Sequence, residues 1–262
     1  MVTWIVLIII VVGGQLAYRQ VAARRRTAAA LAATAATGLA VNTEVEDPQP
    51  LPFALFNRGH GRRVRNRMWD PKDPNASVFD YEFTVSSGTG SDSSSRTYHH
   101  TCAVYAVPFS SPNLGLSKQR FFDRIAVGFG GTDVQVGNPQ FDELYRVQCK
   151  DDAFARALLD PQFVTFLLHE GRADEIIIEL AGSHVLVATT SRIEPTEFDD
   201  LLAWGHRLVA QLPPMRGDRP PTPPAPFARP TQAAMQEWDP RQGPMPAPDA
   251  GPTDRPRSTP IE

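Results

Sequence analysis

The hydrophobic pattern is densest at the start of the chain, where an uncharged apolar segment runs from Val2 to Tyr18. A helix that crosses a membrane needs roughly 20 apolar residues, with about 17 as the lower limit. This segment reaches the limit by including two glycines and a glutamine. Trp4 and Tyr18 lie near its two ends, where amphipathic rings favour the headgroup layer. The pattern therefore predicts a short transmembrane anchor over residues 1–18.

The arginines near this segment all lie on its C-terminal side, at Arg19, Arg24, Arg25 and Arg26. Because positively charged flanks stay in the cytoplasm, we expect a single-pass protein of a bacterial plasma membrane with Met1 outside and the soluble part inside. Basic residues close to a bilayer attract anionic headgroups at about 1 kcal/mol per charge. We therefore predict that these four arginines contact lipid. In an alternative interpretation, residues 24–41 are an export signal and the soluble part lies in the cell envelope.

Composition divides the rest of the chain into three parts. Residues 19–48 are basic and rich in alanine but carry almost no apolar stripe, which predicts a solvated juxtamembrane helix, a stalk that continues the anchor. Residues 49–212 have periodic apolar positions and regular turn signals, and they are numerous enough for one soluble domain. Residues 213–262 contain fifteen prolines and hardly any apolar run. Such a segment buries too little surface to fold, so we expect a disordered tail.

Within the domain, the first strand signal is an alternation of Phe79, Tyr81 and Phe83 with polar residues, which predicts a strand with one buried face. A second apolar run covers residues 96–107, and the serine-rich segment 86–95 between the two runs predicts a hairpin with a long mobile loop. A glycine at the first turn position predicts another hairpin around Gly182 and Ser183. Its two strands cover residues 175–181 and 184–190, and further strands are expected at 124–129, 133–136 and 144–149.

Three helices are expected from capping residues and apolar periodicity. Asp151 and Asp152 begin a helix that runs to residue 159, and Asp160 with Pro161 begins another that ends at Gly171. The third covers residues 195–212, with acids in its first turns and an apolar face. Hairpins with helices between and after them predict an α+β fold with a mainly antiparallel sheet and packed helices.

The densest group of candidate metal ligands is His99, His100 and Cys102. On a strand, His100 and Cys102 share a face and His99 lies on the other, so a metal site needs further ligands such as Cys149 or His184. Because a zinc site normally shows two paired spacings, we favour ordinary strand residues and expect no metal and no cofactor. A thiol nucleophile at Cys149 needs a neighbouring base that the sequence does not place. The alternative function is a membrane-bound metal- or thiol-dependent hydrolase that uses His100, Cys102 and Cys149.

Positive charge is concentrated early in the chain, although the formal net charge is -3. Residues 19–67 contain nine arginines and three acids, and the arginines of residues 58–67 surround His60. This segment is suited to an anionic ligand or RNA, but no aromatic residues interleave it, so lipid or solvent contact is favoured and no nucleic acid partner is expected. The sequence leaves open whether it is a strand, a loop or a lipid-contacting surface.

Two other motifs have ordinary explanations. The glycines of residues 128–131 resemble a phosphate-binding loop, but the segment after them does not predict a helix, so we interpret them as a turn. Residues 219–226 contain overlapping Pro-x-x-Pro spacings, which bind aromatic grooves of partner proteins or serve as a spacer.

One longer segment has a family resemblance. Residues 138–161, with the apolar helix and strands that follow, resemble a group of bacterial membrane-anchored proteins of unknown function, in which a short span precedes an α+β domain. The resemblance covers about half of the chain. It implies a location at the membrane and a fold, but no site residues. The abundance of alanine, arginine and proline is typical of a high-GC actinobacterium. We expect a membrane-anchored, non-catalytic binding or scaffolding protein whose partners are the lipid bilayer and a protein bound through the tail.

Overall fold

The structure of the chain is a computed structural model. It describes residues 2–48, 51–88, 93–119, 132–170 and 176–214. Among the first twenty residues, side chains are described only at positions 13, 14, 17, 18 and 20. Most side chains of the predicted anchor therefore lie outside the described residues, as do the strand expected at 124–129, the glycine-rich turn, Gly171 and nearly all of the tail.

Helices and strands follow one another in a mixed order that confirms the α+β class. The helices are α1 (Val2–Thr37), α2 (Pro139–Leu144), α3 (Asp152–Leu158), α4 (Pro161–His169) and α5 (Phe198–Ala210). The strands are β1 (Ala40–Asn42), β2 (His60–Asp70), β3 (Asp73–Ser87), β4 (Ser94–Lys118), β5 (Thr132–Asp133), β6 (Tyr145–Cys149) and β7 (Ile176–Thr189).

The seven strands that the structure describes belong to one antiparallel sheet built around β4. Strand β7 pairs with one edge of β4 from Cys102 to Ser117. On the other edge, β3 pairs with the first half of β4, and β6 pairs with its second half. Strands β2 and β1 extend the sheet beyond β3, and β5 extends it beyond β6. The sheet is mainly antiparallel, as the hairpin signals predicted.

The predicted hairpin between β3 and β4 is confirmed, and its alternation divides the sheet into two faces. Phe79, Tyr81 and Phe83 are buried on one face, where Phe56 packs against the first two of them. The opposite face of β3 carries Ala76 and Val78, which belong to the main apolar core, and continues with Asp80 and Glu82. The loop at the tip lies largely outside the described residues.

The predicted hairpin at residues 175–190 is wrong, because residues 176–189 form the single strand β7. Gly182 has a φ of 56° and lies opposite Ser111, at a register shift between the two strands. A glycine with positive φ fits a β-bulge as readily as a turn, and the partner strand decides which of them forms. Strand β4 is 25 residues long and passes through Pro108 and Pro112 at the same irregularity. It therefore offers partners to β7 on both sides of Gly182.

The capping predictions for the later helices are confirmed. The side chain of Asp151 accepts a hydrogen bond of 2.9 Å from the backbone N–H of Phe154, and Asp160 accepts one of 2.8 Å from Phe163. A 3-10 turn, Pro195–Glu197, leads into α5, whose apolar face is buried. The short helix α2 was not expected from the sequence. Asn138 begins it by accepting a hydrogen bond from the backbone N–H of Phe141.

The second half of α1 packs against the domain, so the prediction of a solvated stalk is wrong there. Ala30 and Ala33 are buried in the main apolar core. Alanines leave room for close helix packing, and two buried methyl groups need no wide apolar stripe. After Gly38, β1 joins the sheet, and Glu46 pairs with Val64 through backbone hydrogen bonds. Within the described part of the chain, no helix is both long and apolar enough to cross a membrane.

Candidate functional site

Polar residues of three neighbouring strands lie in register on one face of the sheet. In one row, Arg63 of β2 pairs with Glu82 of β3, which pairs with His99 of β4. In the next row, Arg65 pairs with Asp80. Because side chains two residues apart share a face, the arginines, acids and histidine of these rows point to the same side. The polar surface and the apolar residues of the main core therefore lie on the same face of the sheet, at different positions along the strands.

Helix α1 lies over this face and is held there by an ion pair. Nε and Nη2 of Arg26 donate hydrogen bonds of 2.7 and 2.6 Å to the two carboxylate oxygens of Asp80, which is 1% exposed. Arg26 also donates a bond of 2.6 Å to the carbonyl oxygen of Ile193, and Asn66 donates one of 2.9 Å to Asp80. Thr27 donates a further bond to the side chain of Asn66. The ion pair therefore joins helix, sheet and the segment before α5.

A groove of about 890 Å³ runs between α1 and the polar face of the sheet. Its α1 wall includes Tyr18 and Gln20 together with Thr27. Cavities of 300–1,000 Å³ are typical of small-molecule sites. We call it the arginine groove, after its charged lining of Arg24, Arg26, Arg63, Arg65, Arg192, Asp80 and Glu82.

The arginine groove carries more positive than negative charge. Among the described residues, five guanidinium groups and two carboxylates line it, an excess of three positive charges. Glu82 accepts a hydrogen bond of 3.0 Å from Arg192, whereas the nitrogens of Arg63 and Arg65 lie 3.9 and 3.7 Å from its carboxylate. His99 also lines the groove, 3.6 Å from Glu82. Burial and the charge of Arg192 lower the pKa of His99, which favours the neutral ring.

The arginines predicted to contact lipid differ in their surroundings. Arg26 is only 15% exposed and pairs with Asp80, so its guanidinium stabilises the fold. Arg24 and Arg25 are exposed on α1. The side chain of Arg19 lies outside the described residues.

The segment of residues 58–67, which the sequence left open, is largely strand β2. Its arginines divide between the two faces of the sheet. Arg63 and Arg65 line the arginine groove, whereas Arg62 donates a hydrogen bond of 2.8 Å to the carbonyl oxygen of Phe56 on the opposite face. Arg67 forms an ion pair of 3.1 Å with Glu46.

His100 and Cys102 share a face of β4, as predicted, and that face is buried. The Nδ1 of His100 donates a hydrogen bond of 2.7 Å to the carbonyl oxygen of Thr189, and the ring stacks on Phe83. Burial lowers the pKa of His100 to about 4. Nε2 has no partner in the part of the chain that the structure describes. His100 is therefore a neutral residue of the aromatic core.

The two cysteines lie apart. Cys149 of β6 is opposite Leu114, which is twelve positions beyond Cys102 on β4. At about 3.3 Å per residue this separation is far beyond the reach of a disulfide, and both cysteines are free. Burial raises the pKa of both thiols, which disfavours the thiolate that a nucleophile requires. The described residues contain no group of three or more potential metal ligands, and His100, Cys102 and Cys149 are not brought together.

A second buried acid, Glu179 of β7, supports the turn at Leu55–Asn57. Its carboxylate accepts hydrogen bonds of 2.7 and 3.1 Å from the backbone N–H groups of Ala54 and Leu55. Burial raises the pKa of Glu179 to about 8, and the two backbone donors oppose this shift. Its partners give it a structural role.

Sequence reasoning missed the acids of the groove and Arg192. The signal for the acids is present, because Asp80 and Glu82 alternate with the apolar residues of β3, but this alternation predicts only that one face of the strand is buried. Arg192 follows β7 in an irregular segment, where periodicity gives no information.

No protein-family model and no curated protein matches the chain. Among solved structures, the chain is similar to the mycobacterial trehalose monomycolate transport factor A, TtfA. The TM-score is 0.47 at 16% sequence identity, over 74% of this chain and 98% of that chain. Similarity at this level establishes neither a shared fold nor a shared function.

Proposed function

We propose that this chain is a single-pass membrane protein of the bacterial plasma membrane whose cytoplasmic α+β domain is a non-catalytic binding or scaffolding module. One observation carries the proposal: α1 runs continuously from Val2 to Thr37, so the helix that contains the apolar segment also forms a wall of the arginine groove. The anchor rests on the sequence of residues 2–18. The binding role rests on the groove and its charged lining.

The proposed orientation rests on arginines that the fold does not use. Arg24 and Arg25 are exposed and follow the apolar segment, where basic residues favour the cytoplasmic side and contact with anionic headgroups. Arg19 has the same role in this proposal. Arg26 is excluded because it pairs with Asp80. The proline-rich tail is proposed as a secondary docking or spacing element for a protein partner.

Two reporters fused separately after Leu212 test the proposal, one active only in the cytoplasm and one active only outside it. We expect signal from the cytoplasmic reporter and recovery of the chain in the membrane fraction. The triple variant R19Q/R24Q/R25Q should shift part of the signal outside, because it removes the charges that set orientation. R156Q/R207Q, which removes two exposed charges of the domain, should leave the distribution unchanged. Signal from the external reporter in the unaltered chain would support the envelope alternative instead.

A further inference from the structure

Two arginines of the groove have guanidinium donors without a hydrogen-bond partner among the described residues. The guanidinium groups of Arg63 and Arg65 approach Glu82 only to 3.9 and 3.7 Å, and they donate no hydrogen bond to any residue that the structure describes. Their side chains are 55% and 30% exposed. A guanidinium presents five N–H donors in a planar fork that matches the oxygens of a carboxylate or phosphate. These donors are therefore available to a ligand.

Among the described residues, the positive charge around Glu82 exceeds the negative charge. Arg63, Arg65 and Arg192 all lie within ion-pair distance of this one carboxylate. Among the described residues that line the groove, the other acid is Asp80, which Arg26 engages and which also lies 3.9 Å from Arg192. A cleft lined by one sign of charge between low-dielectric walls concentrates counter-ions of the opposite sign. The groove is thus suited to an anion with several oxygens and more than one negative charge.

We infer that the arginine groove binds a phosphate group, held by Arg63 and Arg65 with Arg192 beside them. Three guanidinium groups at one site suit the three terminal oxygens of a phosphate monoester better than a single carboxylate. The volume of about 890 Å³ leaves space for a larger group attached to the phosphate. Binding requires no covalent step.

The position of the groove favours the headgroup of an anionic lipid as the source of this phosphate. Tyr18 and Gln20 line the groove. Tyr18 is the last residue of the apolar segment, and Gln20 lies two positions after it. If that segment is the anchor, the groove opens at headgroup level, so this part of the inference rests on the proposed function. A soluble phosphate ester has the same chemistry and is distinguished by experiment.

The experiment is calorimetric titration of the full-length chain in neutral detergent micelles. The probes are inorganic phosphate, dioctanoyl phosphatidic acid and, as the zwitterionic comparison, dioctanoyl phosphatidylcholine. We expect phosphate and phosphatidic acid to bind the unaltered chain and phosphatidylcholine to bind much more weakly. R63Q/R65Q should weaken binding by about tenfold or more, because two charge-assisted contacts are lost. The control R156Q/R207Q removes the same charge from exposed sites outside the groove and should bind as the unaltered chain does.

Equal binding by the unaltered chain and R63Q/R65Q would overturn the inference. A loss of affinity in R156Q/R207Q as large as that in R63Q/R65Q would overturn it too, because it would indicate general charge attraction. R63Q alone keeps the experiment decisive if the double variant does not fold, and it should weaken binding by about threefold. If inorganic phosphate binds through the groove and phosphatidic acid does not, the phosphate site stands and the lipid source is wrong. Because micelles do not require orientation in a bilayer, failure of the reporter experiment leaves this result unaffected.

Discussion

Adjacent residues of the same strand have opposite chemical surroundings in this molecule. His99 lies on the charged face of β4, 43% exposed and near Glu82, whereas His100 is stacked in the aromatic core. Alternation along the strand is sufficient to predict that the two rings separate. It does not predict which face is buried more deeply, because that depends on Phe83 of the neighbouring strand and Thr189 of β7.

The neutral state of His100 makes the fold sensitive to acid. Since its pKa falls from 6.5 in the unfolded chain to about 4 in the folded one, the unfolded chain binds more protons as the pH drops through this window. Stability from this residue is complete above pH 6.5 and is lost toward pH 4, by roughly 3 kcal/mol. H100F should be less stable at pH 7 but should lose less free energy of unfolding between pH 7 and pH 4.

Urea unfolding at a series of pH values measures this slope. The matched control is H99Q, on the exposed face, which should change the slope less than H100F does because His99 is only half-buried. An unchanged slope in H100F would show that His100 is not the acid-sensitive group.

At the scale of elements, apolar periodicity predicted α5 correctly, but one of its contacts with the sheet depends on a residue that the pattern does not mark. The hydroxyl of Tyr105 on β4 donates hydrogen bonds of 3.3 and 3.0 Å to the carbonyl oxygens of Leu201 and Leu202. A methyl group built on Gly205 would overlap the Tyr105 ring. The glycine is therefore needed for close packing of α5 on the sheet.

The substitution G205A has two opposing effects on stability, one from helix propensity and one from packing. Alanine favours a helix interior by about 1 kcal/mol over glycine, whereas forcing a methyl group into a filled core costs about 1–3 kcal/mol. Because Tyr105 is buried and held by its hydroxyl, we expect the packing cost to dominate and G205A to lower the free energy of unfolding. Urea denaturation measures it, with A203G on the exposed face as the control for propensity alone. A gain of stability in G205A would contradict this packing.

The strand β7 shows the same dependence on a partner. Its sequence, with a glycine between two apolar runs, is compatible with a hairpin and with a bulged continuous strand. The 25-residue strand β4 decides between them, because it pairs with β7 on both sides of Gly182. Local signals located both strand segments and could not determine how they are joined.

At the scale of the molecule, α1 is part of the domain and not a spacer. Its Arg26 is the main partner of the buried Asp80, and its alanines complete the main core. Removing one partner of a buried ion pair costs about 3–5 kcal/mol, because the other charge is left without compensation.

Two truncations test this role of α1. Deletion of residues 2–18 should leave the free energy of unfolding nearly unchanged, whereas deletion of residues 2–37 should lower it by about 3–5 kcal/mol. Adding D80N to the longer deletion should restore part of the loss, since the unpaired buried charge is removed. Urea denaturation at pH 7 measures all three chains. Equal stability of the two truncations would instead support a solvated stalk.

The sequence by itself determined the features that depend on neighbouring residues. Period-two alternation located β3 and the start of β4, aspartates capped α3 and α4, and an apolar face marked α5, which together gave the α+β class. The arginine groove was decided only by tertiary structure. Arg26 and Asp80 are 54 positions apart, and Arg26 and Ile193 are 167 apart. Such contacts depend on strand register and helix docking, which the packing of the whole chain selects and which no local pattern encodes.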